Sequence, residues 1–142
     1  MTVPRCAARL SALALLAGCA MADHDGPLPS GLADTSWRAE SLAGRPLDAD
    51  SMVTLEFLGD DRITGKAACN RYSGPLRVVD GKLAVGPLVS TRMACPPPLM
   101  ELEAAFFAAL EGAERFSRDN SALLLHSTAE PAPIRFEPFT PP

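Results

Sequence analysis

The stretch from residue 76 to residue 85 decides the fold class, and it reads Leu76-Arg77-Val78-Val79-Asp80-Gly81-Lys82-Leu83-Ala84-Val85. Two apolar-rich runs flank Asp80-Gly81, a dipeptide whose positive φ angles suit a type I′ hairpin turn. Residues 52–66 alternate apolar and polar side chains around a second turn at 59–61. This period-two pattern between turn signals predicts antiparallel strands over most of the chain.

One helix is predicted to interrupt the strands at about residues 97–112. Two prolines preset φ for its first turn, and Gly112 offers a C-terminal stop. The carboxylates of Glu101 and Glu103 suit the positive end of a helix, which explains them without catalysis. Apolar residues recur at intervals of three and four and form one stripe, which comprises Leu99, Leu102, Phe106, Leu110 and Ala113.

Two further strands, at 122–126 and 134–137, return the sheet past the helix. The fold class predicted from these patterns is α+β, with a curled antiparallel sheet packed against one main helix. The side chains expected to pack against the helix stripe are Trp37, Phe57, Leu83, Leu124 and Phe136.

The composition is typical of one folded domain, with 142 residues of which 47% are hydrophobic and 21% charged. A net charge of −4, with no run of clustered Lys and Arg, argues against a nucleic-acid partner. The sequence contains no Gly-x-Ser-x-Gly, His-Glu-x-x-His, phosphate-loop or dinucleotide motif. The spacing of Cys and His fits no metal site, so neither a metal nor a cofactor is expected. The oligomeric state is left open.

The N-terminal residues are predicted to be a targeting signal. Arg5 and Arg9 flank an apolar stretch that is too short to span a membrane. Leu16-Ala17-Gly18-Cys19 resembles the bacterial lipobox, which predicts residues 1–18 as a lipoprotein signal peptide and Cys19 as the lipidated residue. The alternative is an ordinary signal peptide that is cut near Ala20 or Ala22, with Cys19 incidental.

Lipidation of Cys19 would attach the protein to a membrane of the cell envelope, because two or three acyl chains give a stable anchor. In the lipoproteins it resembles, a residue other than Asp after the cysteine implies sorting to the outer membrane. Since Ala20 stands there, the protein is expected to face the periplasm of a Gram-negative organism. Residues 19–33 are predicted to be a flexible tether, 34–138 the folded domain and 139–142 a tail.

Cys69 and Cys95 are the two cysteines left for the folded domain. An oxidising compartment favours a disulfide between them, which would stabilise the domain by about 3 kcal/mol on the chain-entropy estimate. Two buried free thiols are the alternative. A cysteine-based enzyme is a distant third interpretation, because His126 would have to serve as its base and the chain has no Cys-x-x-Cys motif.

Polar residues surround both cysteines. Asn70 tolerates a left-handed backbone or can hydrogen-bond its own turn. Arg71 and Arg92 can bind carbonyl or carboxylate groups, or together hold an anionic ligand. With Thr91, these residues are the candidate binding site. We favour a structural role, because polar residues beside a disulfide usually form hydrogen bonds that join neighbouring loops.

Two motifs carry a family resemblance, Cys69-Asn70-Arg71-Tyr72-Ser73-Gly74 and Thr91-Arg92-Met93-Ala94-Cys95. They resemble the META domain, the HslJ-like family, and the resemblance extends over roughly residues 32–137. It includes Thr35-Ser36-Trp37 at the start, Glu103 in the helix, and Ala68 where the family often has glycine. The resemblance implies a small barrel-like α+β domain of bacterial envelope lipoproteins that are associated with heat shock and antibiotic tolerance. It implies no catalytic residue.

Two functions from different classes are compatible with these observations. The preferred one is a non-enzymatic envelope lipoprotein that binds another envelope component and supports stress or antibiotic tolerance. The alternative is a module that binds a small apolar or lipidic ligand in a gap between the helix stripe and the curled sheet.

Overall fold

The computed structural model describes residues 25–26, 28, 30–59 and 61–142. This part of the chain contains one helix, α1 (Pro97–Glu111), and eleven strands. The strands are β1 (Asp25–Gly26), β2 (Ser36–Leu42), β3 (Arg45–Pro46), β4 (Thr54–Leu58), β5 (Arg62–Ala67), β6 (Asn70–Val79), β7 (Lys82–Val85), β8 (Val89–Ser90), β9 (Ala113–Asp119), β10 (Ala122–Ser127) and β11 (Ile134–Pro138).

The strands form one antiparallel sheet that curls into a nearly closed barrel. Its main order is β6-β5-β4-β2-β11-β10-β9, with β3 beside β2, and with β1, β7 and β8 paired to β6. The ends of this order meet where β7 lies against β9. There Lys82 Nζ approaches Glu114 Oε1 at 3.6 Å, but no backbone ladder joins these two strands in the described residues. The predicted α+β class, with a barrel-like sheet and one main helix, is confirmed.

Both predicted hairpins are present. Val79 pairs with Lys82, and the turn residues Asp80 and Gly81 have φ angles of 51° and 75°, as a type I′ turn requires. Strands β4 and β5 form the other hairpin. The helix ends one residue earlier than predicted, because Gly112 already has a φ of −87° and serves as the C-cap.

Inward-facing apolar residues of the strands pack around the buried face of α1. Phe57, Phe106 and Phe136 are each at most 1% exposed and lie at the centre of this core. The prediction that Leu124 is buried was wrong, because Leu123 and Leu125 point inward and Leu124 points to the opposite side of β10. In a run of three leucines, the alternation of a strand does not reveal which face is buried.

The segment before β2 differs from the predicted tether. Asp25 and Gly26 pair with the end of β6, and Leu28 and Leu32 are buried in the core. The later part of residues 19–33 therefore packs against the domain. The predicted signal peptide and Cys19 lie outside the described residues. No helix in the described part of the chain has the length and apolar character needed to cross a membrane.

Gly65 makes room for a hydrogen bond across the barrel wall. Gly65 lies opposite Tyr72 in the register, and the Tyr72 hydroxyl donates to the Thr54 carbonyl at 2.8 Å. Burial raises the pKa of Tyr72, and the negative charge of Glu56 raises it further, so the hydroxyl keeps its proton. A Cβ at position 65 would stand 2.8 Å from the Thr54 carbonyl carbon and 3.0 Å from the Tyr72 hydroxyl.

We expect Gly65→Ala to lower the free energy of unfolding by about 3 kcal/mol, because the new methyl would displace both the β4 backbone and the Tyr72 hydroxyl. Urea denaturation measures the loss. The control is Gly59→Ala, where a Cβ would meet nothing within 4 Å and only the positive φ of 61° is costly, at about 1 kcal/mol. Equal losses in the two variants would contradict this explanation.

Candidate functional site

The two cysteines of the domain meet at one end of the barrel. Cys69 lies in the turn between β5 and β6, and Cys95 lies just before α1. They form a disulfide with an S–S distance of 2.02 Å and a Cα–Cα distance of 6.1 Å. The bond therefore fastens the start of the helix to the turn that begins β6.

A buried carboxylate stands beside this disulfide. Glu103, on α1, is only 7% exposed. Its Oε2 accepts a hydrogen bond from the Asn70 backbone N–H at 2.8 Å, and its Oε1 accepts one from Asn70 Nδ2 at 3.0 Å. No ion pair of Glu103 occurs within the described residues, so the neutral donors of Asn70 solvate this carboxylate.

The other side of Asn70 holds the segment that leads to Cys95. Asn70 Oδ1 accepts from the Met93 backbone N–H at 2.7 Å and from the Thr91 hydroxyl at 2.9 Å. Thr91 Oγ1 in turn accepts from the Arg71 backbone N–H at 3.1 Å. Asn70 therefore connects β6, the 91–95 segment and α1, and we call Asn70, Thr91 and Glu103 the motif network.

The structure shows neither of the two options predicted for Asn70. Asn70 is an extended residue at the start of β6, whereas Ala68 takes the left-handed conformation with a φ of 58°. In the family that the sequence resembles, glycine is expected at position 68, and glycine adopts that conformation without a steric penalty. The side chain of Asn70 bonds to a distant helix and segment and not to its own turn.

Glu103 was predicted to be only a favourable residue near the helix start, and its role in the motif network was not predicted. The structure places Glu103 in the second turn of α1, where it faces the core. A signal was present, because Leu99, Glu103, Phe106 and Leu110 follow the spacing of a single helical stripe. An acidic residue inside an apolar stripe indicates a buried carboxylate that needs hydrogen-bond donors.

The side chains of Arg71 and Arg92 remain on the surface. Both residues are exposed, and neither guanidinium forms an ion pair with any residue that the structure describes. The predicted contacts of these side chains with carbonyl or carboxylate groups are therefore not part of the motif network. Their side chains are available to a ligand, whereas Asn70 and Thr91 are engaged within the fold.

His126 does not complete a cysteine–histidine pair. Its Nε2 lies 2.8 Å from Ser117 Oγ and its Nδ1 lies 3.4 Å from an Arg115 nitrogen, both on β9. Desolvation, and secondarily the charge of Arg115, lowers the pKa of His126. Cys69 is already bonded to Cys95. Among the described residues, no group of three or more His, Cys, Asp or Glu is arranged to hold a metal ion.

We expect Glu103→Gln to lower the free energy of unfolding by about 2 kcal/mol. The amide NH2 of Gln would face the NH2 of Asn70, so two donors would meet without an acceptor. Asn70→Asp should also destabilise the domain, since it places two carboxylates together. In the double variant Asn70→Asp/Glu103→Gln, the new amide at 103 donates to the new carboxylate at 70, and at least half of the loss should be recovered. A double-mutant cycle in urea measures this coupling, and simple addition of the two losses would exclude the proposed network.

Reduction of the disulfide should lower the free energy of unfolding by about 3 kcal/mol, because the unfolded chain gains the entropy of an open loop. The measurement compares urea midpoints with and without reductant. The control variant Cys69→Ala/Cys95→Ala should not respond to reductant. Peptide mapping under non-reducing conditions identifies the bond, and recovery of only unlinked Cys69 and Cys95 peptides would rule it out.

Comparisons with known proteins agree with the fold and motifs. A family model described as META domain matches residues 30–138. The chain is 32% identical over 90 residues to "Heat shock protein HslJ" from Escherichia coli (strain K12). The aligned residues cover 63% of this chain and 64% of the relative, so the chain spans less than two thirds of the relative's length. An NMR structure of a protein from Burkholderia xenovorans matches with a TM-score of 0.64 and 25% identity, covering 98% of this chain and 100% of that one. A second NMR structure matches with a TM-score of 0.60 and 28% identity, covering 75% and 90%. Because the family model spans most of the sequence, the chain belongs to the META domain family.

Proposed function

We propose that this META-domain protein is a non-enzymatic, lipid-anchored protein of the cell envelope. Its domain would bind another envelope component and support tolerance of envelope stress or antibiotics. Anchoring would occur through acyl chains on Cys19, with the domain facing the periplasm from the outer membrane of a Gram-negative cell. The name of the relative "Heat shock protein HslJ" supports the link to stress.

The main support for a non-enzymatic role is that the motif residues bond to other residues of the same domain. Cys69 and Cys95 are bonded to each other, while the side chains of Asn70 and Glu103 hydrogen-bond to residues of the same domain. In the described part of the chain, every buried side-chain nitrogen and oxygen has a hydrogen-bond partner. A nucleophile or general base needs a reactive group that is free to reach a substrate, so this arrangement favours a scaffold.

In-cell crosslinking of the lipidated protein, followed by identification of the captured species, tests the proposal. We expect the anchored form to capture a defined envelope protein that is lost in Cys19→Ala, because the anchor sets the location and local concentration of the domain. Capture of the same species by both forms would contradict a role for the anchor. Absence of a captured protein from both forms would contradict the binding role and favour a ligand carrier.

A groove beside α1 favours a small apolar ligand as the second candidate function. Its volume is about 460 Å³, and it lies between the helix and the turn that joins β2 to β3. Leu42 and Leu47 line one side, and Leu102 and Ala105 line the other. The groove borders Leu102 of the helix stripe, which supports the alternative of a lipidic ligand between helix and sheet.

Native mass spectrometry of the purified protein tests the ligand carrier. A bound lipid should appear as a reproducible added mass, and Ala105→Phe should remove it because a phenyl ring would fill the groove. The matched control is Ala104→Phe on the exposed side of the same helix, which should leave the added mass unchanged. A clean apo mass for the parent protein would exclude this second function.

A further inference from the structure

The distribution of charge along the chain is strongly uneven. Residues 62–100 contain six of the 13 Lys and Arg residues but only one of the 17 Asp and Glu residues, Asp80. This segment comprises β5 to β8 and the beginning of α1. An acidic protein therefore contains one basic region, although no short run of Lys and Arg marks it in the sequence.

The fold gathers four of these cations on the outer side of two neighbouring strands. Arg62 and Lys66 point outward from β5, and Arg71 and Arg77 point outward from β6. We call this surface the basic face. None of the four forms an ion pair within the described residues, whereas Arg38, Lys82 and Arg135 do. These four cations therefore share one face of the folded chain, although they are separated along the sequence.

The register of the basic face places like charges directly opposite each other. Lys66 pairs with Arg71 in the β5–β6 ladder. Like charges in directly opposed positions repel and destabilise a sheet. Glu56 on β4, opposite Thr64, is the nearest acidic position in the ladder, but it makes no ion pair with either cation. The arrangement is therefore one that an external anion would relieve.

The surroundings of Arg71 suit a phosphate group. A shallow cavity of about 310 Å³ adjoins Arg71 and is lined by the hydroxyl-bearing residues Thr64, Ser73, Ser90 and Thr91. The Thr64 and Thr91 hydroxyls already donate within the fold, to the Tyr72 carbonyl and to Asn70 Oδ1. The hydroxyls of Ser73 and Ser90 are the ones that can join the Arg71 guanidinium fork in donating to phosphate oxygens. Val89, on the same face opposite Ser73, is 73% exposed, and nearby Met93 is 56% exposed. The cavity therefore combines anion-binding groups with an apolar edge.

We propose that the basic face binds the phosphate-bearing headgroups of an anionic lipid surface. Exposed Val89 and Met93 fit such a surface, because they can enter the boundary between headgroups and acyl chains while the cations remain among the phosphates. Nucleic acid is a poorer fit, because none of the eight aromatic residues is exposed for base stacking.

The net negative charge of the protein does not prevent this contact. At 0.1 M salt the Debye length is about 10 Å, so charges on the far side of the barrel act weakly on the basic face. Each Lys or Arg near an anionic surface increases the partition coefficient by about five-fold. The proposed contact does not require the anchor, but it is compatible with it, since the six chain steps between Cys19 and Asp25 reach about 20 Å when extended.

Vesicle co-sedimentation of the full chain carrying Cys19→Ala tests the proposal without a contribution from acyl chains. Every variant keeps the same N-terminal residues, so differences between variants report on the domain. We expect binding to phosphatidylglycerol vesicles to exceed binding to phosphatidylcholine vesicles, and the preference to disappear in 1 M salt. Lys66→Gln/Arg71→Gln should lower the anionic partition coefficient at least ten-fold.

The matched control is Arg45→Gln/Arg115→Gln, which removes the same charge from exposed positions on β3 and β9. It should change the partition coefficient less than two-fold, and the urea midpoint of Lys66→Gln/Arg71→Gln should not fall. Equal effects of the two double variants, or no preference for anionic vesicles, would overturn the assignment. Saturable binding of inorganic phosphate without vesicle binding would also overturn it and assign the face to free phosphate. Because crosslinking tests a protein partner and sedimentation tests a lipid surface, the two proposals fail separately.

Discussion

The pair of hydrogen bonds between Asn70 and Glu103 is the interaction on which the motif end of the barrel depends. A carboxylate that is only 7% exposed must be solvated by the protein, and Asn70 supplies both a backbone and a side-chain donor for it. The side-chain oxygen of Asn70 accepts hydrogen bonds from the Thr91 hydroxyl and the Met93 backbone N–H. One amide therefore positions a helix, a strand and an irregular segment at once.

The disulfide and the motif network restrain the same junction by different physical means. The bond between Cys69 and Cys95 lowers the conformational entropy of the unfolded chain. The hydrogen bonds of Asn70 instead favour one arrangement of the folded chain. The turn before Asn70 contains Ala68 in a left-handed conformation, which is unfavourable for a residue with a Cβ. A junction with that local strain benefits from tertiary restraints on both of its sides.

The sequence was sufficient to predict elements whose signals are local. The Asp80-Gly81 hairpin and the helix after the prolines were predicted within a residue, because turn chemistry and helical periodicity act over a few positions. Strand β9 gave no such signal, since most of its residues are polar and exposed at the sheet edge. Glu103 was recognised as part of the helix but not as the partner of Asn70, which lies 33 positions away and meets it only through tertiary structure.

Strands β5 and β6 have different chemistry on their two sides. Their inward positions include Gly65, where a single Cβ would disturb the packing against Thr54 and Tyr72. Their outward positions include Lys66 and Arg71, whose opposition does not favour the sheet. Because side chains alternate along a strand, the well-packed inner side can tolerate this repulsion on the outer side. The proposed lipid contact therefore explains these cations better than the stability of the sheet does.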